Sequence, residues 1–170
     1  VHFRKFSRKF RYTIFPSAVT GNHNNKILWK FTITRIDVNL PKRSFAGVPN
    51  ISYLFGSYTI GTGATLTINP GVVCKFGYNG GITVNKGLIA EGGFRADSNI
   101  VFTDIRDDFY GGDSNADTSL TTPSRGYWNA IAFNDQALDP LCRLRHCIVK
   151  YSNYGIRTTS ASPNVTYSTI

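Results

Sequence analysis

The sequence lacks methionine, long apolar runs and any helical periodicity. Because it holds no methionine, the numbered chain does not begin at its own start codon. It ends inside a segment with strand character, so we expect a piece of a longer protein. No apolar run approaches the ~18 residues of a membrane-spanning helix, which argues against a transmembrane segment. Apolar residues do not recur at helical spacing, which argues against a helical fold.

Cysteine is scarce, with three residues that cannot all pair. Cys142 and Cys147 are five residues apart, and no second pair has metal-ligand spacing, so we expect no zinc site. Cys74 and Cys147 lie in apolar strand segments, where a free cysteine packs as a small hydrophobic residue. We interpret Trp128 as a core residue and His146 as a solvent-facing one.

Acidic residues are almost absent from the first third of the chain. Residues 1–50 hold ten Lys and Arg and one acid, whereas residues 51–170 hold nine of each. A basic arm from Arg4 to Arg11 alternates with aromatic residues, which is the only feature that hints at nucleic-acid binding. We interpret this arm as a solvated leader, because no recognition module follows it.

Short β-branched segments separated by Gly, Asn and Pro turns fill the rest of the chain. Two internal echoes relate these segments. At a shift of 16 residues, residues 66–69 fall on residues 82–85. At a shift of 21, Leu144, Cys147 and Val149 fall on positions 165, 168 and 170. A drifting period of about 20 residues is typical of a solenoid of short parallel strands. The sequence therefore predicts an all-β fold, a parallel β-helix.

The shift of 16 predicts which side chains stack inside this solenoid. We expect Leu66 on Ile82, Ile68 on Val84, and Val72 on Leu88. Asn69 and Asn85 each follow a strand and precede a glycine by two residues, so we expect them to form a stacked ladder at one corner. We therefore expect two parts. Residues 1–50 form a basic leader and an irregular N-terminal cap, and residues 51–170 form the coils of the β-helix, truncated at the carboxyl end.

A polar stretch interrupts the coils. Five of the nine acids of residues 51–170 lie within residues 104–117. Side-chain oxygens at every second position can converge on one cation, and loops this long usually carry function or are disordered. Counted from Asp113, the sixth position is Thr118 and the twelfth is Ser124, whereas tight calcium loops carry a glycine and a bidentate glutamate there. A calcium site and a solvated loop therefore remain open as alternatives. The candidate ligands are Asp107, Asp108, Asp113, Asn115 and Asp117.

Residues 51–170 resemble the secreted right-handed parallel β-helix repeat proteins of the pectate-lyase-like superfamily. Residues 65–76 (TLTINPGVVCKF) are similar to the "tLTIpAGvvvkF" coil of these proteins. Further segments are similar to their "G-LiA-GT…PIvFTs", acidic-loop, "GdWgGI" and "LrhcvvrYag-GI" motifs. Residues 87–92 and 99–103 match the first of these motifs, and residues 107–117 match the acidic loop. Residues 126–131 match the third motif, and residues 144–149 with 155–156 match the last.

The resemblance implies an extracellular or cell-surface protein. It is compatible with a non-catalytic scaffold or adhesin-like module that contacts glycans and carries a calcium-binding loop. The alternative is a fragment of a polysaccharide lyase or glycoside hydrolase whose catalytic coils lie outside this chain. No catalytic residue is assigned, because the Gly-His-Gly and Arg-Ile-Lys motifs of the polygalacturonase-like members do not flank Asp107 and Asp108.

Overall fold

The computed structural model describes residues 36–44 and 49–170, together with the backbone of three two-residue strands that precede them. Within these residues, two three-residue 3-10 turns, Ala96–Ser98 and Asp139–Leu141, are the only helical elements. No helix in this part of the chain is long and apolar enough to cross a membrane. The strands are β1 (Pro16–Ser17), β2 (Leu28–Trp29), β3 (Thr32–Ile33), β4 (Val38–Leu40), β5 (Tyr53–Ile60), β6 (Thr65–Ile68), β7 (Val73–Val84), β8 (Gly87–Glu91), β9 (Ile100–Asp104), β10 (Trp128–Phe133), β11 (Cys142–Arg145), β12 (Cys147–Val149), β13 (Ser152–Thr158) and β14 (Asn164–Thr166).

All of these strands except β1 pair in parallel, and β4 to β14 form three faces of a solenoid of about five turns, which confirms the predicted parallel β-helix. The first face is the five-stranded sheet β4-β6-β8-β11-β14. The second face stacks residues 53–55, residues 73–76, β9 and β12. The third face stacks residues 57–60, residues 81–84, β10 and β13. The two long strands β5 and β7 therefore each bend across two faces, and every coil visits the faces in the same order.

The observed register corrects the predicted ladders. Leu66 stacks on Leu88, a shift of 22 residues, and not on Ile82. Ile82 lies on the third face of the same coil, between Tyr58 and Ile131. The 16-residue echo thus relates two faces of one coil, because both faces require the same alternation of apolar and polar residues. The 21-residue echo is confirmed, since Leu144 pairs with Val165.

The asparagine ladder exists, but its members differ from the predicted ones. The Asn134 side-chain amide donates to Asn85 Oδ1 at 2.9 Å, one coil away. The Asn69 backbone N–H donates to Leu40 O, whereas that of Asn85 donates to Ile60 O, so the two asparagines occupy different corners. The predicted pairing of Asn69 with Asn85 is therefore wrong. The physical role was correctly predicted: an amide at a sharp corner bonds its equivalent in the next coil.

An aromatic stack forms the centre of the core. Phe76 packs against Phe55 with ring centroids 5.4 Å apart, and against Trp128 at 4.3 Å. Phe102 continues the stack in the next coil at 6.5 Å. Trp128 is fully buried and its indole N–H donates to Lys150 O, which confirms it as a core residue. Cys74 and Cys147 are buried and free, as predicted, and burial raises the pKa of the Cys147 thiol to about 12.

Pairing with the solenoid begins before residue 51. β2 and β3 pair in parallel with β5, and β4 pairs in parallel with β6. β1 runs antiparallel to β2, so the parallel stacking changes direction at this end. An antiparallel strand at the end of a solenoid covers an edge that would otherwise pair with another chain. The basic arm from Arg4 to Arg11 lies outside the described residues.

Candidate metal site on the inserted loop

The polar insertion, residues 105–127, connects β9 on the second face to β10 on the third. It folds back over the outer surface of the second face. Gly111, which has a φ of +70°, passes so close to β5 that a Cβ there would lie 1.9 Å from Ser52 Oγ. Because side chains alternate along a strand, Val73, Lys75 and Thr103 point away from the core, yet all three are buried. The insertion therefore forms a second packed layer on this face.

Both ends of the insertion are fixed to Asp104, the last residue of β9. The Arg106 guanidinium contacts the fully buried Asp104 carboxylate at 2.6 Å. The Ser124 backbone N–H, from the returning end, donates to the same carboxylate at 3.2 Å. Arg106 also stacks on the ring of Tyr127, with its Cζ 3.6 Å from the centroid. One buried carboxylate thus joins the two ends across twenty residues.

Lys75 lies beneath the middle of the insertion and has no exposed surface. Its ammonium donates to Gly112 O at 2.5 Å. Burial lowers the pKa of Lys75 to about 8, against the carboxylates of Asp107, Asp108, Asp113 and Asp104, which raise it. Asp107 is also buried, and its carboxylate accepts a hydrogen bond from Thr103 Oγ1 at 2.6 Å. A buried cation therefore faces the acidic insertion from the sheet.

The buried Lys75 predicts a pH dependence of stability. Its folded pKa of about 8 lies below the ordinary lysine value of about 10.4, so between these values the unfolded chain binds more protons than the folded chain. The titration of Lys75 therefore raises the free energy of unfolding between pH 8 and 10, by on the order of 1–3 kcal/mol. Below pH 8 both states hold the proton, and the group adds no pH dependence.

Urea unfolding of the wild type and of Lys75→Met across this range measures the effect. Tyrosines and cysteines titrate in both proteins, so the difference between the two isolates Lys75. Lys42→Met serves as the control, because it removes an exposed lysine and leaves Lys75 in place. A wild-type-minus-Lys75→Met difference that stays flat from pH 7 to 10 contradicts a buried ammonium at this position.

Three carboxylates converge within the insertion. One oxygen each from Asp108, Asp113 and Asp117 lies within 4.8 Å of the others. The three side chains are half-buried, so water screens their mutual repulsion only in part. Such a group of hard oxygen donors fits Ca²⁺, which takes six to eight oxygens.

Hydrogen bonds inside the insertion hold these carboxylates in place. Asp113 accepts the backbone N–H groups of residues 116, 117 and 118. Asp117 accepts those of residues 119 and 121 and the Thr121 hydroxyl. The Thr121 hydrogen bond lowers the pKa of Asp117 below its usual range, so this carboxylate is ionised at neutral pH. Ala116, Thr118 and Ser119 have left-handed φ angles of 59°, 55° and 71°, which are uncommon for non-glycine residues.

Two side-chain oxygens of the insertion are buried and accept no hydrogen bond. They are Asp108 Oδ1 and Asn115 Oδ1. The Asn115 amide nitrogen donates to Asp117 Oδ2 at 2.7 Å, which turns its oxygen away from that carboxylate. A buried acceptor without a partner costs free energy, which a bound cation or an ordered water would offset.

The structure thus brings together three of the five candidate ligands and holds a fourth, Asn115, against Asp117. Asp107 does not join them, because its carboxylate faces Thr103 and the second face. The burial of Lys75 and the role of Asp104 with Arg106 were not predicted. An isolated lysine within an apolar strand segment, at Val73-Cys74-Lys75-Phe76, is the signal that could have suggested a buried charge.

His146 was predicted to face solvent, but the structure shows it half-buried at a corner of the solenoid. Its ring lies between those of Phe94 and Tyr167, with centroids 4.5 and 5.1 Å away.

Comparison of the chain with models of known protein families, with curated proteins and with solved structures finds no match. The resemblance of residues 51–170 to secreted β-helix proteins therefore stays a prediction from the sequence motifs, and the structure shows a parallel β-solenoid.

Proposed function

We propose that this chain is a non-catalytic β-solenoid module, extracellular or on a cell surface, that contacts glycans and whose insertion is organised by Ca²⁺. The observation that supports it most is the convergence of Asp108, Asp113 and Asp117 within 4.8 Å. Three like charges at this distance repel one another, and a divalent cation removes that repulsion. The same cation would supply the partner that Asp108 Oδ1 lacks.

The proposed shell consists of the three carboxylates, with loop carbonyls and water completing the coordination. Asn115 lies outside this shell, because its amide nitrogen donates to Asp117 and its oxygen is turned away. The loop lacks the glycine and the bidentate glutamate of tight calcium loops, since Thr118 and Ser124 occupy those positions. We therefore expect a Kd of about 10⁻⁴–10⁻³ M, the range of extracellular calcium modules. The motif resemblance supports an extracellular setting.

Calorimetric titration of the full chain with CaCl₂ tests the site. The variant Asp108→Asn is the sharpest probe, because Asp108 accepts only one hydrogen bond from the described residues, from Ser119 Oγ at 3.2 Å. We expect the wild type to bind in the range above and to melt at a higher temperature with Ca²⁺. Asp108→Asn should bind Ca²⁺ at least tenfold more weakly and should not melt at a higher temperature with Ca²⁺, because one of the three charges is gone.

The matched control is Asp135→Asn, an exposed acid outside the insertion, which should titrate as the wild type does. A second variant, Asp113→Ala/Asp117→Ala, removes two ligands together and should bind no Ca²⁺. Equal heats and equal melting temperatures for the wild type and Asp108→Asn would falsify the site and leave a solvated loop.

The alternative function is a polysaccharide lyase or glycoside hydrolase, and Lys75 is the observation that favours it. A lysine with a pKa of about 8 beside several carboxylates has the protonation behaviour of a general base. However, the insertion covers Lys75 completely, so no substrate reaches it in this conformation. Turnover of pectin or alginate by the wild type and its loss in Lys75→Met would support the enzyme and overturn our proposal.

A further inference from the structure

Three rings from successive coils meet at the corner between the first and second faces. Phe94 follows β8, His146 follows β11 and Tyr167 follows β14. The His146 and Tyr167 rings are nearly parallel at 12°, whereas Phe94 is tilted by 59° against His146. We call these three residues and the adjacent Arg145 the corner cluster. Its outer rings are largely exposed, Phe94 by 84% and Tyr167 by 72%.

Arg145 provides the polar part of the corner cluster. Its guanidinium lies 5.6 Å from the Phe94 ring and 5.3 Å from the Tyr167 ring. It forms no ion pair with any residue that the structure describes. A guanidinium carries five N–H donors in a planar fork, so donors beside both rings are free to bind acceptor oxygens.

The backbone at this corner carries a conformational cost. His146 and Tyr167 have left-handed φ angles of 49° and 51°, where glycine would be unstrained. The Nε2 atom of His146 is also buried without a hydrogen-bond partner. Stacking of the rings holds this arrangement, which keeps Phe94 and Tyr167 on the surface. Strained positions of this kind cluster at functional sites.

We infer that the corner cluster binds a pyranose ring of a glycan. One side of a pyranose ring presents C–H groups, whose positive edges pack on the negative face of an aromatic ring. Its hydroxyl oxygens accept hydrogen bonds, and the free Arg145 guanidinium lies beside both exposed rings. This inference rests on the proposed function and names the surface that makes the glycan contact.

A nucleic-acid strand fits the corner cluster less well. Base stacking on aromatic rings occurs in single-strand binding, but it is accompanied by a groove of cations that follows the phosphates. Here the neighbouring cations are neutralised by acids. Arg143 pairs with Glu91 at 3.1 Å, and Arg95 pairs with Asp97 at 3.4 Å. A single free guanidinium suits a sugar ring better than a chain of phosphates.

Saturation-transfer NMR and calorimetry with cellohexaose, xylohexaose and hexagalacturonate test the inference on the full chain. We expect at least one hexasaccharide to bind the wild type. Phe94→Ser/Tyr167→Ser should bind it at least tenfold more weakly, and Arg145→Gln several-fold more weakly. Tyr154→Ser is the matched control, because Tyr154 is also exposed and lies 5.5 Å from Arg157. It should bind as the wild type does.

The outcomes separate the two proposals. If a hexasaccharide binds the wild type and the Phe94/Tyr167 variant equally, the corner cluster is only a structural stack and the glycan-contacting function survives. If no hexasaccharide binds the wild type, both proposals fail. If oligo(dT) binds more tightly than every hexasaccharide and the same variants weaken it, the ligand class is wrong. Equal circular-dichroism melting curves show that the variants are folded.

Discussion

Replacing Phe76 by alanine is expected to lower the free energy of unfolding by about 3–5 kcal/mol. Phe76 has no exposed surface and contacts Phe55 in the preceding coil and both Phe102 and Trp128 in the following coil. Removing the ring leaves a cavity that the rigid stack of coils cannot close, because each strand is fixed by the pairs on both sides. Urea unfolding, followed by tryptophan fluorescence, measures the loss.

The control for this prediction is Phe109→Ala, because Phe109 is 84% exposed and lies in the insertion. An exposed replacement of this kind should change stability by less than about 0.5 kcal/mol. Phe76→Leu provides a milder variant in case Phe76→Ala does not fold, and it should fall between the two. Equal losses for Phe76→Ala and Phe109→Ala would contradict the central position of the aromatic stack.

Removing the Asp104 carboxylate is expected to cost about 3–5 kcal/mol and to release the insertion. Asp104→Ala leaves the Arg106 guanidinium, 19% exposed, and the Ser124 N–H without their buried partner. Breaking a buried charge pair from one side costs this much, because the remaining charge stays partly desolvated. Both ends of residues 105–127 depend on this carboxylate, so limited proteolysis should cut within the insertion of the variant.

Asp97→Ala is the matched control for Asp104→Ala. Asp97 also pairs with an arginine two residues away, Arg95, but both side chains are largely exposed. An exposed pair contributes about 0–1 kcal/mol. Unchanged stability and an uncut insertion in Asp104→Ala would mean that the ends are held by other contacts, such as the stacking of Arg106 on Tyr127.

The architecture could be predicted from the sequence because each coil repeats a local pattern. Apolar alternation and corner residues recur at each turn, and the 21-residue echo gave the correct register of β11 and β14. The 16-residue echo gave a wrong register, because the first and third faces of one coil share the same pattern. β13 could not be predicted from its own sequence, since Ser152-Asn153-Tyr154-Gly155 mixes polar residues with a glycine and has little strand character.

The candidate site was predictable only where its residues are close in sequence. Asp113 and Asp117 lie four residues apart, so their spacing alone suggested a shared ligand. Lys75 contacts the insertion at Gly112, which lies 37 residues later in the sequence. The corner cluster joins residues of three coils, and the insertion lies between Phe94 and His146 in the sequence, so no regular spacing relates them. Such contacts depend on the register of the coils, which spacing within one segment does not give.

A crystal structure of the full chain grown with millimolar CaCl₂ tests the proposed cation site most directly. Our account predicts an ion bonded to oxygens of Asp108, Asp113 and Asp117 at about 2.3–2.6 Å, with water or loop carbonyls completing six to eight ligands. The Asp108 Oδ1 atom should be one of these ligands. Density for water alone between the three carboxylates, at a Ca²⁺ concentration tenfold above the expected Kd, would contradict it.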